Sequence, residues 1–312
     1  MSLSTNTRGV AAMIISMALF VLNDALMKMA SVSMPVSEAV ALRGLMAAPF
    51  LMLAIWMRGE TAHLRDLRDP SVQLRSLFDT LNAMMFLTAL TVMPLADDVA
   101  IQQIVPLLMT AYAGLVLGEE VGLPRILAVG AGFIGALLVA NPSGQGLAAG
   151  APLAFGATLA VAGRDLTTRV VGNSVPSLIM TLSATLILTA GAALFALFEP
   201  WRWPNALDLP VLALAAILIS GALIAITLAF RWGEVRLIAP LYYSQTVFAV
   251  IVGTLVFGVV PKPLALAGMA LVVACGLFVL RPKRTGAPAI VPRLPRDRHH
   301  IRYRSGRAHP AW

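Results

Sequence analysis

The chain has 312 residues, of which 59 % are hydrophobic and only 12 % are charged. Because soluble domains are about 45–50 % apolar and about 25 % charged, this composition excludes a soluble globular enzyme, a disordered chain and a secreted disulfide scaffold. The single cysteine, Cys275, also excludes a disulfide within the chain. The sequence therefore predicts an all-α integral membrane protein.

The net charge of +8 is concentrated in the last 31 residues, which hold eight Lys and Arg and the single acid Asp297. A basic chain indicates nucleic-acid binding only where the charge clusters on a folded surface. We therefore expect no nucleic-acid partner. Residues 282–312 are predicted to be a basic, disordered cytoplasmic tail that sets topology and is able to touch anionic lipid.

Ten apolar segments are long enough to be membrane spans, since a helix needs about 20 residues to cross about 30 Å of hydrocarbon. The predicted spans are 10–30, 36–57, 75–93, 97–117, 123–141, 149–170, 175–198, 209–231, 236–258 and 263–281. Pro94 followed by Asp97 and Asp98 is typical of a turn and separates the third span from the fourth.

Lys and Arg residues in the flanks of the spans predict the orientation. With ten spans and a cytoplasmic N-terminus, 18 basic residues lie on the inner side, whereas only Arg202 and Lys262 lie on the outer side. The sequence thus predicts a protein of the cell (inner) membrane, embedded in the lipid bilayer with both termini in the cytoplasm.

Four matches in register indicate an internal repeat. The matching pairs are Asn23-Asp24-x3-Lys28 with Arg164-Asp165-x3-Arg169, Pro35 with Pro176, Leu117-Gly118 with Phe257-Gly258, and Pro142 with Pro282, all 140 or 141 residues apart. Five helices is an odd number, so a second half of five helices enters the membrane inverted. We predict two inverted five-helix repeats, residues 10–141 and 149–281, an architecture typical of secondary transporters.

Four stretches resemble a known family. They are Met93-Pro-Leu-Ala-Asp-Asp-Val-Ala, Val105-Pro-Leu-Leu, Leu115-Val-Leu-Gly-Glu-Glu-Val-Gly and Gly130-Ala-Gly-Phe-Ile-Gly-Ala-Leu-Leu-Val. They resemble the EamA-type domain of the drug/metabolite transporter superfamily. The resemblance covers residues 10–281 and is clearest in 75–142; in the second half, Val259 and Val260 replace the two glutamates.

The opening pattern Asn23-Asp-Ala-x-x-Lys, with Arg43 in the second span, resembles a branch of this family that includes S-adenosylmethionine and riboflavin importers. The resemblance implies a carrier of small polar metabolites, without a cofactor. It specifies the fold better than the substrate.

Charged residues within the spans are the first candidates for gating or coupling, because an ionisable group in lipid is costly and faces protein or water. Asp24 and Arg43 lie at matched depths of about 9 and 10 Å from the outer surface, so an ion pair between them is feasible. One interpretation is a constitutive bridge of Asp24 with Arg43 or Lys28. The other is a proton- or cation-sensitive outer gate, with Arg43 as the anchor of a substrate anion or carbonyl.

A second charged group lies near the inner surface. Asp165 is the repeat mate of Asp24, Arg164 precedes it, and Asp79 and Asn82 of the third span reach similar depths. They predict either an inner gate or an interfacial cluster whose arginines, Arg169 above all, extend to the cytoplasm. The complete set of gating or coupling candidates is Asn23, Asp24, Lys28, Asp79, Arg164 and Asp165.

A polar constellation lies in the fourth and ninth spans, where Gln102 and Gln103 are the repeat mates of Tyr242 and Tyr243. Amides and phenols suit a neutral or zwitterionic solute, although polar contacts between helices are the alternative. Pro106 and Pro240 interrupt backbone hydrogen bonds and free carbonyls for a cavity. The predicted substrate-binding residues are Arg43, Asn82, Gln102, Gln103, Tyr242, Tyr243 and Gln245.

The remaining patterns favour structural roles. The small residues from Gly130 to Ala136 predict a close-packing face, which also allows a homodimer contact. No spacing of histidines, cysteines and carboxylates indicates a metal site, and no catalytic or nucleotide-binding motif occurs. We predict a secondary transporter of a small-molecule metabolite, working in uptake or exchange. The alternatives are an exporter of amino acids or toxic compounds and, outside transport, a membrane enzyme or scaffold.

Overall fold

A computed structural model describes residues 5–115, 122–140, 147–171, 175–232 and 239–280, and within these ranges the regular structure is entirely helical. The α-helices are α1 (Thr5–Ala30), α2 (Val36–Met57), α3 (Pro70–Val92), α4 (Leu95–Gln102), α5 (Val105–Leu115), α6 (Leu123–Ala140), α7 (Leu147–Val171), α8 (Ser177–Ala196), α9 (Asp208–Trp232), α10 (Ser244–Phe257) and α11 (Pro263–Leu280). Two 3-10 helices, Thr61–Arg68 and Ala239–Tyr243, precede α3 and α10.

Prolines set the start of several helices. Pro35, Pro94 and Pro176 immediately precede α2, α4 and α8 with ψ between 141° and 146°. A proline is tolerated there because its missing N–H would have no partner within the helix. The repeated prolines of the sequence thus mark helix starts, and Gly258, at φ 66°, ends α10 in the left-handed conformation.

The fourth and ninth predicted spans are each built from two helical pieces. Between α4 and α5, the N–H groups of Ile104 and Leu107 bond three residues back instead of four. Pro106 lacks the N–H that would continue the α-helical pattern. In the ninth span the 3-10 helix Ala239–Tyr243 precedes α10 in the same way.

The predicted turn between the third and fourth spans is present. The connection is confined to Met93 and Pro94, and both aspartates lie in the first turn of α4, where they are buried. Acidic residues are favoured in a first helical turn because they face the positive end of the helix dipole.

Four of the described helices are long and apolar enough to cross a membrane, within Asn6–Ala30, Val36–Met57, Ser177–Ala196 and Asp208–Ala229. Large apolar side chains such as Leu45, Phe198 and Leu255 lie on the surface, as expected where lipid is the solvent. The all-α membrane class is thus confirmed, while ten spans in two inverted repeats stay a prediction. Both members of one repeat match, Pro142 and Pro282, lie outside the described residues, as do Leu117-Gly118 of another match and the predicted tail.

The most extensive helix contacts join distant parts of the chain: α1 with α9, α3 with α7, α2 with α8, and α6 with α11. Small residues allow the backbones of these contacting helices to approach closely. A Cβ added to Gly135 of α6 would lie 2.9 Å from the carbonyl oxygen of Gly268 in α11. The predicted close-packing face therefore serves a contact within the chain at Gly135, whereas Gly130 is exposed and has open space.

Candidate functional site

The outer charged group is organised by an asparagine. The Arg43 guanidinium donates a hydrogen bond to Asn23 Oδ1 (3.2 Å), and Asn23 Nδ2 donates to Asp24 Oδ1 (2.9 Å). All three residues are buried. The Asn23 amide offers an acceptor to Arg43 and a donor to Asp24, and a direct bridge between the two charges is not among the ion pairs of the described residues.

The predicted bridge from Lys28 to Asp24 is also absent from the described hydrogen bonds and ion pairs. Lys28 Nζ instead donates to the carbonyl oxygen of Met93 (2.5 Å), and it lies 5.5 Å from the centre of the Phe257 ring. Met93 follows the last residue of α3, where helical carbonyls lack partners and attract a cation. Lys28 thus joins α1 to the end of α3 and to α10.

Asp97 and Asp98 are the residues that sequence reasoning missed. Asp98 is 0 % exposed, and neither of its carboxylate oxygens has a hydrogen-bond partner. Asp97 is also buried, with Oδ1 unpartnered. The signal was available in the sequence, since proline followed by acidic residues is typical of the start of a helix.

The inner charged group forms a continuous network across α3 and α7. Arg164 contacts Asp79 at 3.2 Å and Asp165 at 2.9 Å, and Arg75 contacts Asp79 at 2.9 Å. Arg75, which the sequence placed only in the flank, also donates to the Thr168 hydroxyl (3.0 Å). The predicted grouping of Asp79, Arg164 and Asp165 is therefore present, with both positive charges matched by carboxylates.

Polar side chains meet where the fourth span is broken. Gln102 Nε2 donates to Asn82 Oδ1 on α3 (2.8 Å), and Gln103 Nε2 donates to the carbonyl oxygen of Tyr242 (3.3 Å). The Tyr242 phenol lies within the electrostatic reach of Arg164 and so connects this cluster to the inner network. We call Asn82, Gln102, Gln103 and Tyr242 the central cluster.

The structure does not bring the other predicted substrate-binding residues into the central cluster. The Tyr243 ring packs against Gly276 of α11, where no Cβ could be accommodated, and its buried hydroxyl has no hydrogen-bond partner. Arg43 belongs to the outer group through Asn23. Gln245 is half-buried on α10, and the side chain of Arg169 lies outside the described residues.

Comparison with known sequences relates the chain to membrane transporters. Residues 7–141 match the EamA-like transporter family. A riboflavin transporter of Rhizobium johnstonii is 28 % identical over 197 residues, which are 63 % of this chain and 65 % of that protein. A riboflavin transporter of Vibrio cholerae is 28 % identical over 187 residues, which are 60 % of this chain and 62 % of that protein.

The chain thus covers slightly less than two thirds of the length of these two relatives. A solved crystal structure superposes with a TM-score of 0.61 at 20 % identity, covering 89 % of this chain and 98 % of that one. At this identity the superposition shows the fold alone. The family match and the two relatives confirm the resemblance to EamA-type transporters, and they agree with the expectation of a transporter and not an enzyme.

Proposed function

We propose that this chain, whose residues 7–141 match the EamA-like transporter family, is a secondary transporter of a small polar organic metabolite. It works by alternating access, in uptake or exchange, in the inner membrane with both termini in the cytoplasm. The observation that carries this proposal is the central cluster at the break between α4 and α5. Broken helices expose both side-chain amides and backbone carbonyls to a solute, and transporters bind substrates at such breaks.

The two charged groups serve as gates on either side of the central cluster. The outer group ties α1 to α2 through Asn23, and the inner network ties α3 to α7 through Arg164. Each gate joins helices of different orientation, so its opening exposes the central cluster to one side of the membrane. Buried and partly buried charged groups suit this role because separating them from their partners requires that water enter and solvate them.

The helix contacts support two inverted repeats with bounds 10–141 and 149–281. In the repeat, α1 corresponds to α7 and α3 corresponds to α9. The contact of α1 with α9 then mirrors that of α7 with α3, and the contact of α2 with α9 mirrors that of α8 with α3. Rocking of one half against the other is the motion that such symmetry permits.

Riboflavin is the first substrate to test, because two relatives are named riboflavin transporters. The amides of Asn82, Gln102 and Gln103 suit the polar edge of a flat, neutral ring system by hydrogen bonding. An exporter of amino acids or toxic compounds is the alternative, and it predicts counterflow with those solutes instead.

The test is counterflow by the purified full chain in liposomes. Vesicles loaded with unlabelled riboflavin should accumulate labelled riboflavin, and Gln102→Ala should lower the initial rate about tenfold, since one hydrogen bond is worth about 0.5–1.5 kcal/mol and an orphaned partner costs more. Gln73→Ala, which removes an exposed amide near the start of α3, is the matched control and should transport normally. Unchanged flux in Gln102→Ala would contradict the assigned site, and wild-type flux with amino acids alone would favour the alternative.

A further inference from the structure

We propose that Asp98 binds a proton whose movement down the pH gradient drives transport. This inference rests on the proposed transport function and adds the coupling ion to it. The central cluster would hold the solute, whereas Asp98 lies one turn of helix earlier on α4, toward the predicted outer surface. The site consists of the Asp98 carboxyl group, with Asp24 of α1 within its electrostatic reach.

Asp98 lies in the interior of the protein without a hydrogen-bond partner among the described residues. Its side chain is 0 % exposed, and both carboxylate oxygens lack a hydrogen-bond partner in the described structure. A buried carboxylate without hydrogen bonds or a paired cation is strongly disfavoured, and a bound proton removes that cost. The first-turn position on α4 favours the ionised form through the helix dipole, so the proton can also be released.

The charged groups around Asp98 are mainly negative. The groups whose fields reach its carboxylate are Asp24 and Lys28 of α1 and Asp97 of α4 itself. Two of these three are negative, and Lys28 already donates to the Met93 carbonyl. Asp24 in turn faces Arg43 of α2 through Asn23. A proton on Asp98 relieves the repulsion among the carboxylates.

The other helices that contact α4 bring no Lys or Arg to its predicted outer end. The sequences of α10 and α11 contain no Asp, Glu, Lys or Arg. The charged residues of α3, α6 and α7 lie toward the predicted inner ends of these helices; they are Arg75, Asp79, Arg125, Arg164, Asp165 and Arg169. Lys28 is therefore the one cation among the groups within electrostatic reach of Asp98 in the described residues.

Asp97 provides an internal comparison, because it occupies the same turn of α4. Besides its neighbour Asp98, Asp97 has Lys28 and Lys262 within electrostatic reach, and both are positive. Asp97 is therefore the comparison carboxyl with positive groups in reach, whereas the groups in reach of Asp98 are mainly negative. A small pocket lined by Lys28, Leu95 and Phe257 lies beside the start of α4 and the end of α10.

The first experiment needs no substrate. Infrared spectra of the purified full chain in lipid, recorded as a function of pH, should show the carbonyl band of a buried protonated carboxylic acid. Asp98→Asn should remove one component of that band, and Asp97→Asn should keep it. A band that Asp98→Asn leaves unchanged would overturn the proposal.

The second experiment separates coupling from binding of the solute. In the riboflavin liposome assay, an inward pH gradient should raise wild-type and Asp97→Asn accumulation severalfold over exchange alone. Asp98→Asn, which mimics the protonated carboxyl, should retain counterflow and lose the response to the gradient. A retained response in Asp98→Asn, or a response to a sodium gradient in place of a pH gradient, would overturn the proposal. Wild type without riboflavin counterflow would count against the proposed substrate, and the infrared result would still decide whether Asp98 binds a proton.

Discussion

At the scale of single residues, Asn23 determines how the charged side chains of Asp24 and Arg43 interact. Asp24 and Arg43 are both buried, and a direct ion pair would fix α1 to α2 by Coulomb attraction. With the Asn23 amide between them, two hydrogen bonds carry the contact in place of a direct ion pair. Such bonds are individually modest in free energy, so this outer contact can break and re-form within a transport cycle.

Asp69 offers a test of pH dependence outside the membrane. Its carboxylate accepts hydrogen bonds from the Ser71 hydroxyl and the Ser71 N–H, which hold the pKa of Asp69 below its ordinary value of 3.8. The stabilisation of α3 by this cap is therefore complete above the ordinary value and is lost as the pH falls through the lowered one. Asp69→Ala should lower the melting temperature at neutral pH but not in strong acid.

Asp69→Asn is the control for this prediction, because an amide oxygen still caps the helix and does not titrate in this range. It should melt close to wild type at neutral pH and show a weaker dependence on acid. Equal melting temperatures for Asp69→Ala and wild type at neutral pH would contradict the role of the cap.

The sequence predicted which charged residues lie within the helices better than it predicted their partners. Asp79, Arg164 and Asp165 meet as expected, because their depths on α3 and α7 are matched. Asp24 and Arg43 are also matched in depth, yet Asn23 intervenes, and depth alone cannot show which polar atom lies between. Asp98 was missed because a run of proline and aspartates near a helix end is typical of a turn as well as of a helix start.

At the scale of elements, the crossing of α6 and α11 depends on two glycines. The helices approach until an added Cβ on Gly135 would lie 2.9 Å from the backbone oxygen of Gly268. Backbone atoms cannot move aside as a flexible side chain can. Gly135→Ala should therefore destabilise the fold by about 1–3 kcal/mol, the usual cost of overpacking, and lower the melting temperature in detergent.

Gly130→Ala is the matched control on the same helix. Nothing lies within 4 Å of a Cβ added there, and alanine is the better helix former by about 1 kcal/mol. We expect its melting temperature to equal or exceed that of wild type. A similar loss of stability in both variants would mean that the close contact of α6 with α11 is not the cause of that loss.

Helix bounds were largely predictable because apolar runs, prolines and glycines mark where membrane helices begin and end. The partner of each helix was not predictable from hydrophobicity. A helix that is apolar on every side has no stripe that distinguishes a protein-facing side from a lipid-facing side. The contacts of α1 with α9 and of α6 with α11 follow from the positions of small residues, whose partners lie far away in the sequence.

At the scale of the whole molecule, the inverted repeat predicts that loops separated by an odd number of spans lie on opposite sides of the membrane. Five predicted spans separate His63 from Asn205. Alkaline phosphatase, which is active only outside the cytoplasm, should be active when inserted at Asn205 and inactive at His63. Green fluorescent protein should give the reverse pattern.

An identical result at both positions would contradict the odd number of spans between them, and with it the inverted orientation of the second half. Fusion of each reporter to the C-terminus provides the control for expression. There alkaline phosphatase should be inactive and green fluorescent protein fluorescent, as expected in the cytoplasm. The measurement does not depend on the substrate, so it tests the architecture separately from transport.

The pairing of helices across the two halves has a consequence for biogenesis. The most extensive contacts of α1, α2, α3 and α6 are all with helices that are synthesised later. The first half therefore leaves the translocon before the partners of its glycine faces have been synthesised. Tertiary assembly must be a late step that follows insertion of α11, and until then the nascent chain depends on lipid or on a chaperone to cover those faces.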